Sequence, residues 1–350
     1  MSSKRVTITD VAREAGVSIK TVSNVINKGG SMRPETRARV EETMRRLGYR
    51  VNISARAMKA GRTRLIGLGI NSFDQPFMPY FADSVIAAAR RRGYGVITDT
   101  YPPDGGIEGI IEETYRLGAD GWIFFVGTTL ADGSAVLRQS YPVVAASDYA
   151  LGRNAGDKVD RVAMPNEEAM HALAGELLDA GCRTIAVTGA RVDGPDGLDR
   201  LISGENGTTA QRVRGFVRAM RERGLEPDWR YLATPSAWNR AAGASAVRSI
   251  LDSGLPRPDA IMCLNDAAAL GAITELQKRG LHVPDDIRVT GFDNVPEADF
   301  ATPALTTIDP DVEGYARMVV DMLIERIEGF DGPSRERVTD YMVVRRASAC

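Results

Sequence analysis

The sequence predicts an all-α head followed by an α/β body of two parallel-sheet lobes. Charge is one reason. Residues 1–64 hold 15 Lys or Arg against 5 Asp or Glu, and the remainder holds 29 against 41. A head of +10 therefore precedes a body of −12, although the whole chain is only −2. Such a split points to a polyanion met by the head alone. Periodicity is the second reason: apolar residues recur at helical spacing in the head, whereas from residue 65 short apolar runs alternate with longer amphipathic ones. Length is the third, since 350 residues at 43% hydrophobic content suffice for several cores.

Three helices are expected before residue 48. Thr7 with Asp10 three residues on makes a capping box, and Val11, Ala12 and Ala15 give an apolar face that ends at Gly16. Ser18 caps the second helix, with Val22, Val25 and Ile26 as its buried stripe. Pro34 opens the third, with Val40, Met44 and Leu47 inward. Residues 51–64, "VNISARAMKAGRTR", are basic and poorly apolar and read as a linker with at most one marginal helix.

In the body, "LIGLGI", "GVITDT", "GWIFFV" and "YPVVAAS" read as strands separated by helices near 78–92 and 107–117. The rhythm restarts with a helix near 166–180 and strands "TIAVTG", "YLATPS", "AIMCLND" and "IRVTGFD". The expected lobes span about 65–160 and 161–350, with cross-overs that include a final helix near 312–328. Residues 191–208, rich in Gly and Asp, read as a long loop.

Several function classes are disfavoured. Three cysteines without close spacing make neither a disulfide framework nor a zinc site, and two histidines make no metal centre, so no metal and no cofactor are expected. There is no N-terminal apolar run and no stretch near 18 apolar residues, so no membrane role is expected and the cytoplasm is the expected compartment. Neither a Gly-rich dinucleotide fingerprint nor a phosphate-loop motif is present. Asp148 and Asp266 each follow a buried strand, but no general-acid partner stands out, and the chain is read as no enzyme.

Two helices joined at a tight turn and braced by a third form a helix-turn-helix. The second helix buries its stripe and offers Ile19, Lys20, Thr21, Ser23 and Asn24 outward, a set of amine, hydroxyl, amide and methyl groups suited to base edges. A protein-binding three-helix bundle would show the same periodicity. In the body, strand ends meeting at one cleft commonly hold small polar molecules, and Asn71, Phe73 and Phe77 lie at the exit of the first strand.

"TITDVAREAGVSIKTVSNVIN", "RPETRARVEETMRRLGY", "NISARAMKAGRTRLIGLGI", "CLNDAAALGAITELQKRGLHVPDDIRVTGFDN" and "PALTTID" together resemble the lac-repressor/galactose-repressor family of bacterial transcription regulators. The resemblance implies a helix-turn-helix DNA-binding domain at 1–50, a hinge helix at 51–64, and a periplasmic-binding-protein-like body at 65–350 for effector binding and dimerisation. It implies palindromic double-stranded operator DNA as partner, read by a homodimer, with a tetramer left open. Helices of the first lobe such as 80–92 are the expected dimer contact.

By resemblance, Ile19 and Lys20 read bases, Thr21 and Ser23 anchor on the backbone, and Thr7, Ser18 and Asn27 complete the DNA-facing set. Asn24 stands where many members carry a guanine-reading Arg. Ala55, Arg56 and Met58 fall at the hinge's minor-groove positions, Met58 replacing the more usual Leu as apolar wedge. The effector set implied is Asp148, Arg212, Trp238 and Asp266, beside Asn71, Phe73 and Phe77. It suits a polyhydroxylated effector, a sugar first and a nucleoside or other polyol second. The structural alternatives are that Asp148 caps a loop, Arg212 pairs with an acid, Trp238 and Phe77 pack in the core, and Asp266 braces its turn. Pro310 replaces the usual Gln, and the 191–208 segment is longer than the family's. The function expected is a repressor of carbohydrate-utilisation genes; a sugar-binding protein without regulation is the remaining alternative.

Overall fold

The computed structural model describes residues 6–26, 29, 32–50, 61–101, 106–130, 134–151, 159–204 and 207–350. It divides into two compact units, Met1–Thr63 and Arg64–Cys350.

The first unit holds helices Ile8–Ala15, Ile19–Ile26 and Pro34–Leu47. Its opening helix is capped reciprocally: the Thr7 backbone N–H donates to Asp10 Oδ2 at 2.9 Å, and the Asp10 N–H donates to Thr7 Oγ1 at 3.4 Å. Gly16 ends that helix in the left-handed region at φ 63°, where a side chain would be strained. Val11, Ala12, Ala15, Val22, Val25 and Val40 form one small core, and an Arg46–Glu14 ion pair at 2.6 Å ties the third helix to the first. Ile26 is half-buried at its margin.

The second unit has two sheets. Strands β1 (Leu65–Ile70), β2 (Gly95–Thr100), β3 (Trp122–Phe125), β4 (Val143–Ala146) and β5 (Asp160–Ala163) are followed by β6 (Ile185–Thr188), β7 (Ala260–Cys263), β8 (Arg288–Phe292) and β9 (Thr306–Asp309), then β10 (Glu336–Val338) and β11 (Met342–Val344). One sheet runs β10-β5-β4-β3-β1-β2, all parallel. The other runs β11-β9-β8-β7-β6 and is parallel except for β11. The chain crosses between lobes three times: after β5, between β9 and helix Val312–Ile327, and between β10 and β11. That helix packs on β3, β4, β5 and helix Phe77–Arg91, so it belongs to the first lobe.

The near-continuous burial of "LIGLGI" is that of a strand covered on both faces. Its glycines admit large rings from the next strand. A Cβ on Gly67 would sit 2.1 Å from the fully buried Trp122 ring, which stacks on Phe124 with centroids 5.7 Å apart.

Three elements differ from expectation. "YLATPS" forms no strand: Tyr231 ends a short 3-10 turn, Trp229–Tyr231, and the residues after it are irregular. Thr234 Oγ1 donates to the Val187 carbonyl and accepts from the Gly189 N–H, both at 3.1 Å, so a side chain does what a ladder would. Residues 191–208 include a helix, Gly197–Ser203. The edge placed near residue 160 falls inside β5. There the buried Asp160 binds Arg326 Nη2 at 2.7 Å and Arg335 Nη2 at 2.8 Å, clamping the returning β10 segment.

Candidate functional site

In the first unit, the second helix starts from a serine. Ser18 Oγ accepts from the Thr21 N–H at 3.1 Å and lies 2.9 Å from the Thr21 hydroxyl. Burying Val22 and Val25 leaves Ile19 49% exposed and Lys20 exposed, with Thr21, Ser23 and Asn24 half-buried beside them. A large apolar side chain exposed next to a cation suits a contact face. Thr7 is held by its cap, its hydroxyl donating to Asp10 Oδ2 at 2.7 Å. Asn27, Ala55, Arg56 and Met58 lie outside the described residues.

In the second unit, a cavity of about 290 Å³ opens between the two lobes. Asn71, Phe77, Asp148, Arg212 and Trp238 of the expected set all line it. Helix Thr208–Glu222 presents Arg212. Its Gly215 allows helix Asn166–Asp179 to approach so closely that a Cβ would sit 2.1 Å from the Glu167 carbonyl. Arg212 is 2% exposed. Its Nε donates to Asn166 Oδ1 at 2.7 Å, its Nη1 donates to the Leu264 carbonyl, and its Nη2 lies 3.9 Å from Asp293 Oδ1. The guanidinium carbon lies 3.4 Å from the Phe292 ring centre and 5.0 Å from that of Trp238. Burial pulls the Arg212 pKa below its usual range, with Asp293, Asp148 and Asp266 opposing.

Asp148, just past β4, bridges the lobes. Its Oδ1 accepts from the Met164 N–H at 3.0 Å and its Oδ2 from Thr208 Oγ1 at 2.8 Å. Its carbonyl accepts from Gln211 Nε2 at 2.8 Å. Tyr149 lies so near Gly207 that a Cβ there would meet the ring at 2.4 Å. Trp238 is fixed by Nε1 donating to the Gly189 carbonyl at 3.3 Å, and its own carbonyl accepts from Asn265 Nδ2 at 2.9 Å.

Two expected residues stand elsewhere. Asp266 is fully buried and does not line the cleft. Its oxygens accept from Thr307 Oγ1 at 2.5 Å and the Val295 N–H at 2.9 Å, so it braces the β8 and β9 ends. Burial, then the nearby Asp293, pushes its pKa well up. Phe73 is 48% exposed and outside the lining.

The second lobe's acid in the cleft is Asp293, which the sequence reading missed. It follows β8 as Asp148 follows β4, so the same signal would have found it. Its backbone sits at φ 117° and that of Asn294 at φ 49°, a left-handed pair that costs energy in non-glycine residues. Asn294 is held on both sides, its Nδ2 donating to Asp309 and its Oδ1 accepting from Arg346 Nη2, each at 2.9 Å. Burial pushes the Asp293 pKa up to about 7, against the pull of Arg212. Also missed were Asp74, Gln75, Phe125 and Val126, with Tyr149, Thr208, Thr209, Asn265 and Tyr315.

Among the described residues no cluster of His, Cys, Asp or Glu is arranged for a metal, and no helix is long and apolar enough to cross a membrane. The cleft can grip a small molecule through acceptors, amide groups and aromatic faces, while Asp148 is engaged in holding the lobes.

Residues 7–52 match the family model described as bacterial regulatory proteins, lacI family, and residues 174–349 that of a periplasmic binding protein-like domain. Catabolite control protein A from Priestia megaterium is 31% identical over 305 residues, 87% of each chain. A LacI-type transcription regulator from Bifidobacterium animalis subsp. lactis is 44% identical, with TM-score 0.75 over 81% of this chain and 99% of that one. The structure titled transcriptional regulator CelR–cellobiose complex is 25% identical, with TM-score 0.66 over 98% of this chain and 100% of that one. The chain therefore belongs to the lacI family of bacterial regulatory proteins.

Proposed function

We propose that this chain is a sequence-specific repressor of carbohydrate-utilisation genes, controlled by a small sugar-like effector. The observation that carries the reading is the joining of two parts. A basic head exposes Ile19 and Lys20 from a braced helix, and a body holds Asp148, Asp293, Arg212 and Trp238 around one interlobe cavity. Ile19 and Lys20 read base edges in the major groove, with Asn24 beside them, and Thr7, Ser18, Thr21, Ser23 and Asn27 contact the backbone. Ala55, Arg56 and Met58 enter the minor groove. The domain reading that accompanies these roles is 1–50, 51–64 and 65–350.

Two copies related by twofold symmetry read a palindrome, so the chain works as a homodimer, in the cytoplasm where its operator is. A relative solved with cellobiose supports the sugar class. The cleft is read as binding its ligand without turning it over, with both oxygens of Asp148 taken up by contacts that hold the lobes. Effector closing on Asp148 and Arg212 favours one lobe geometry and so changes the operator affinity of the dimer. Selection of bound duplexes from a random library by the full chain tests the reading. Enrichment of one palindrome supports it, and enrichment of no sequence refutes it.

A further inference from the structure

We propose that the cleft selects an uncharged ligand of about one ring and rejects phosphorylated or otherwise anionic forms of it. This rests on the effector reading of the same site.

The charge of the lining points one way. Among the described lining residues, three carboxylates (Asp74, Asp148 and Asp293) face one cation, Arg212. Hydrogen bonds from Ser72 and Gln75 lower the Asp74 pKa and keep it ionised at the mouth. A ligand phosphate would add like charge beside these carboxylates in a partly enclosed cleft, which costs more there than in bulk solvent.

Each nitrogen of Arg212 already has a protein acceptor near it, so a phosphate that used its remaining N–H groups would share them with protein oxygens. Here Nε is bonded to Asn166, Nη1 to the Leu264 carbonyl, and Nη2 faces Asp293. Phe292 and Trp238 lie against the guanidinium. A phosphate on Nη2 would have to crowd the Asp293 carboxyl. The N-terminus of helix Thr208–Glu222 is the other place that would favour an anion. Asp148 lies beside it, accepting from the Thr208 hydroxyl at 2.8 Å, so an anion there would meet a carboxylate.

What remains suits a neutral molecule. Asp74 and Asp293 oxygens accept from ligand hydroxyls, the amides of Asn71 and Gln75 donate and accept, and Phe77 and Trp238 cover an apolar ring face. A space of about 290 Å³ holds roughly ten waters, which is room for one ring with its substituents.

The test is calorimetric titration of the full chain with matched pairs at pH 7.5 and low salt. The pairs are glucose and glucose 6-phosphate, ribose and ribose 5-phosphate, inositol and inositol 1-phosphate, and adenosine and adenosine 5′-monophosphate, with inorganic phosphate as a competitor. The expected result is that an uncharged member binds, that its phosphate binds at least tenfold more weakly, and that Asp74→Asn narrows the gap. A phosphorylated member binding as tightly as its partner, or inorganic phosphate displacing the neutral ligand, would overturn this inference and leave the effector reading standing. Binding of no pair member, charged or uncharged, would overturn the effector reading and this inference with it.

Discussion

Thr208→Val removes one hydroxyl and keeps the side chain's shape. In the structure that hydroxyl donates to Asp148 Oδ2 at 2.8 Å and is one of few polar links between a first-lobe strand end and a second-lobe helix. A hydrogen bond to a charged acceptor contributes about 1.5–3 kcal/mol. Asp148 and Thr208 are half-buried, so water can partly replace the lost donor, and the loss is discounted to about 1–2 kcal/mol. That shifts the balance between bridged and separated lobes by roughly 5- to 30-fold. Effector that requires bridged lobes should bind more weakly by the same factor. The carboxylate keeps its other bond, from the Met164 N–H at 3.0 Å, so the fold should survive. Calorimetric titration of effector measures the effect, and effector-free operator titration controls for the head. An effector affinity within twofold of the parent, with an unchanged melting temperature, would refute the bridging role.

Other consequences concern protonation, bracing and the head. Asp293 ordinarily titrates near 3.8 and here near 7, so between those values the folded chain keeps a proton that the unfolded chain releases. Its contribution to stability is full below about pH 4, falls as pH rises, and is lost above about pH 7. Between about pH 4 and 7 the melting temperature of the parent should therefore rise less, or fall more, than that of Asp293→Asn; parallel curves contradict the assignment. Asp266→Ala strands the Thr307 hydroxyl and the Val295 N–H, at a cost of about 1–3 kcal/mol. It should lower the melting temperature by a few degrees, and an unchanged melting curve would argue against bracing. Lys20→Ala, at an exposed position, should leave the melting curve alone and weaken or respecify operator binding, read by competition between duplexes.

The head was legible because its signals are local. A capping box, two left-handed glycines and a helical stripe all follow from neighbouring residues, and Thr7, Gly16, Val22 and Val25 take the places expected of them. The alternation of β1 to β4 with helices was legible for the same reason. Strand β10 was not: all three of its residues are exposed, and its pairing depends on the distant Asp160–Arg335 contact. The cleft was readable where a residue follows a buried strand or sits at a motif's spacing, as with Asp148 and Arg212. Which of two acids after neighbouring strands faces the cavity was not readable. Asp266 and Asp293 both follow buried strands, but Asp266 opens a helix and faces Thr307, whereas Asp293 sits at positive φ and lines the cleft. Phe73 shows the same limit, because position beside a strand exit does not set which way a side chain points.

Control of the head by the cleft can be read by titrating the chain onto its selected palindrome with and without a ligand bound in the cleft, and by repeating the titration with Thr208→Val. Ligand should change operator affinity by roughly 5- to 150-fold, the range typical of allosteric coupling, and Thr208→Val should shift the ligand concentration needed. Operator affinity independent of a ligand that demonstrably fills the cleft would contradict that control.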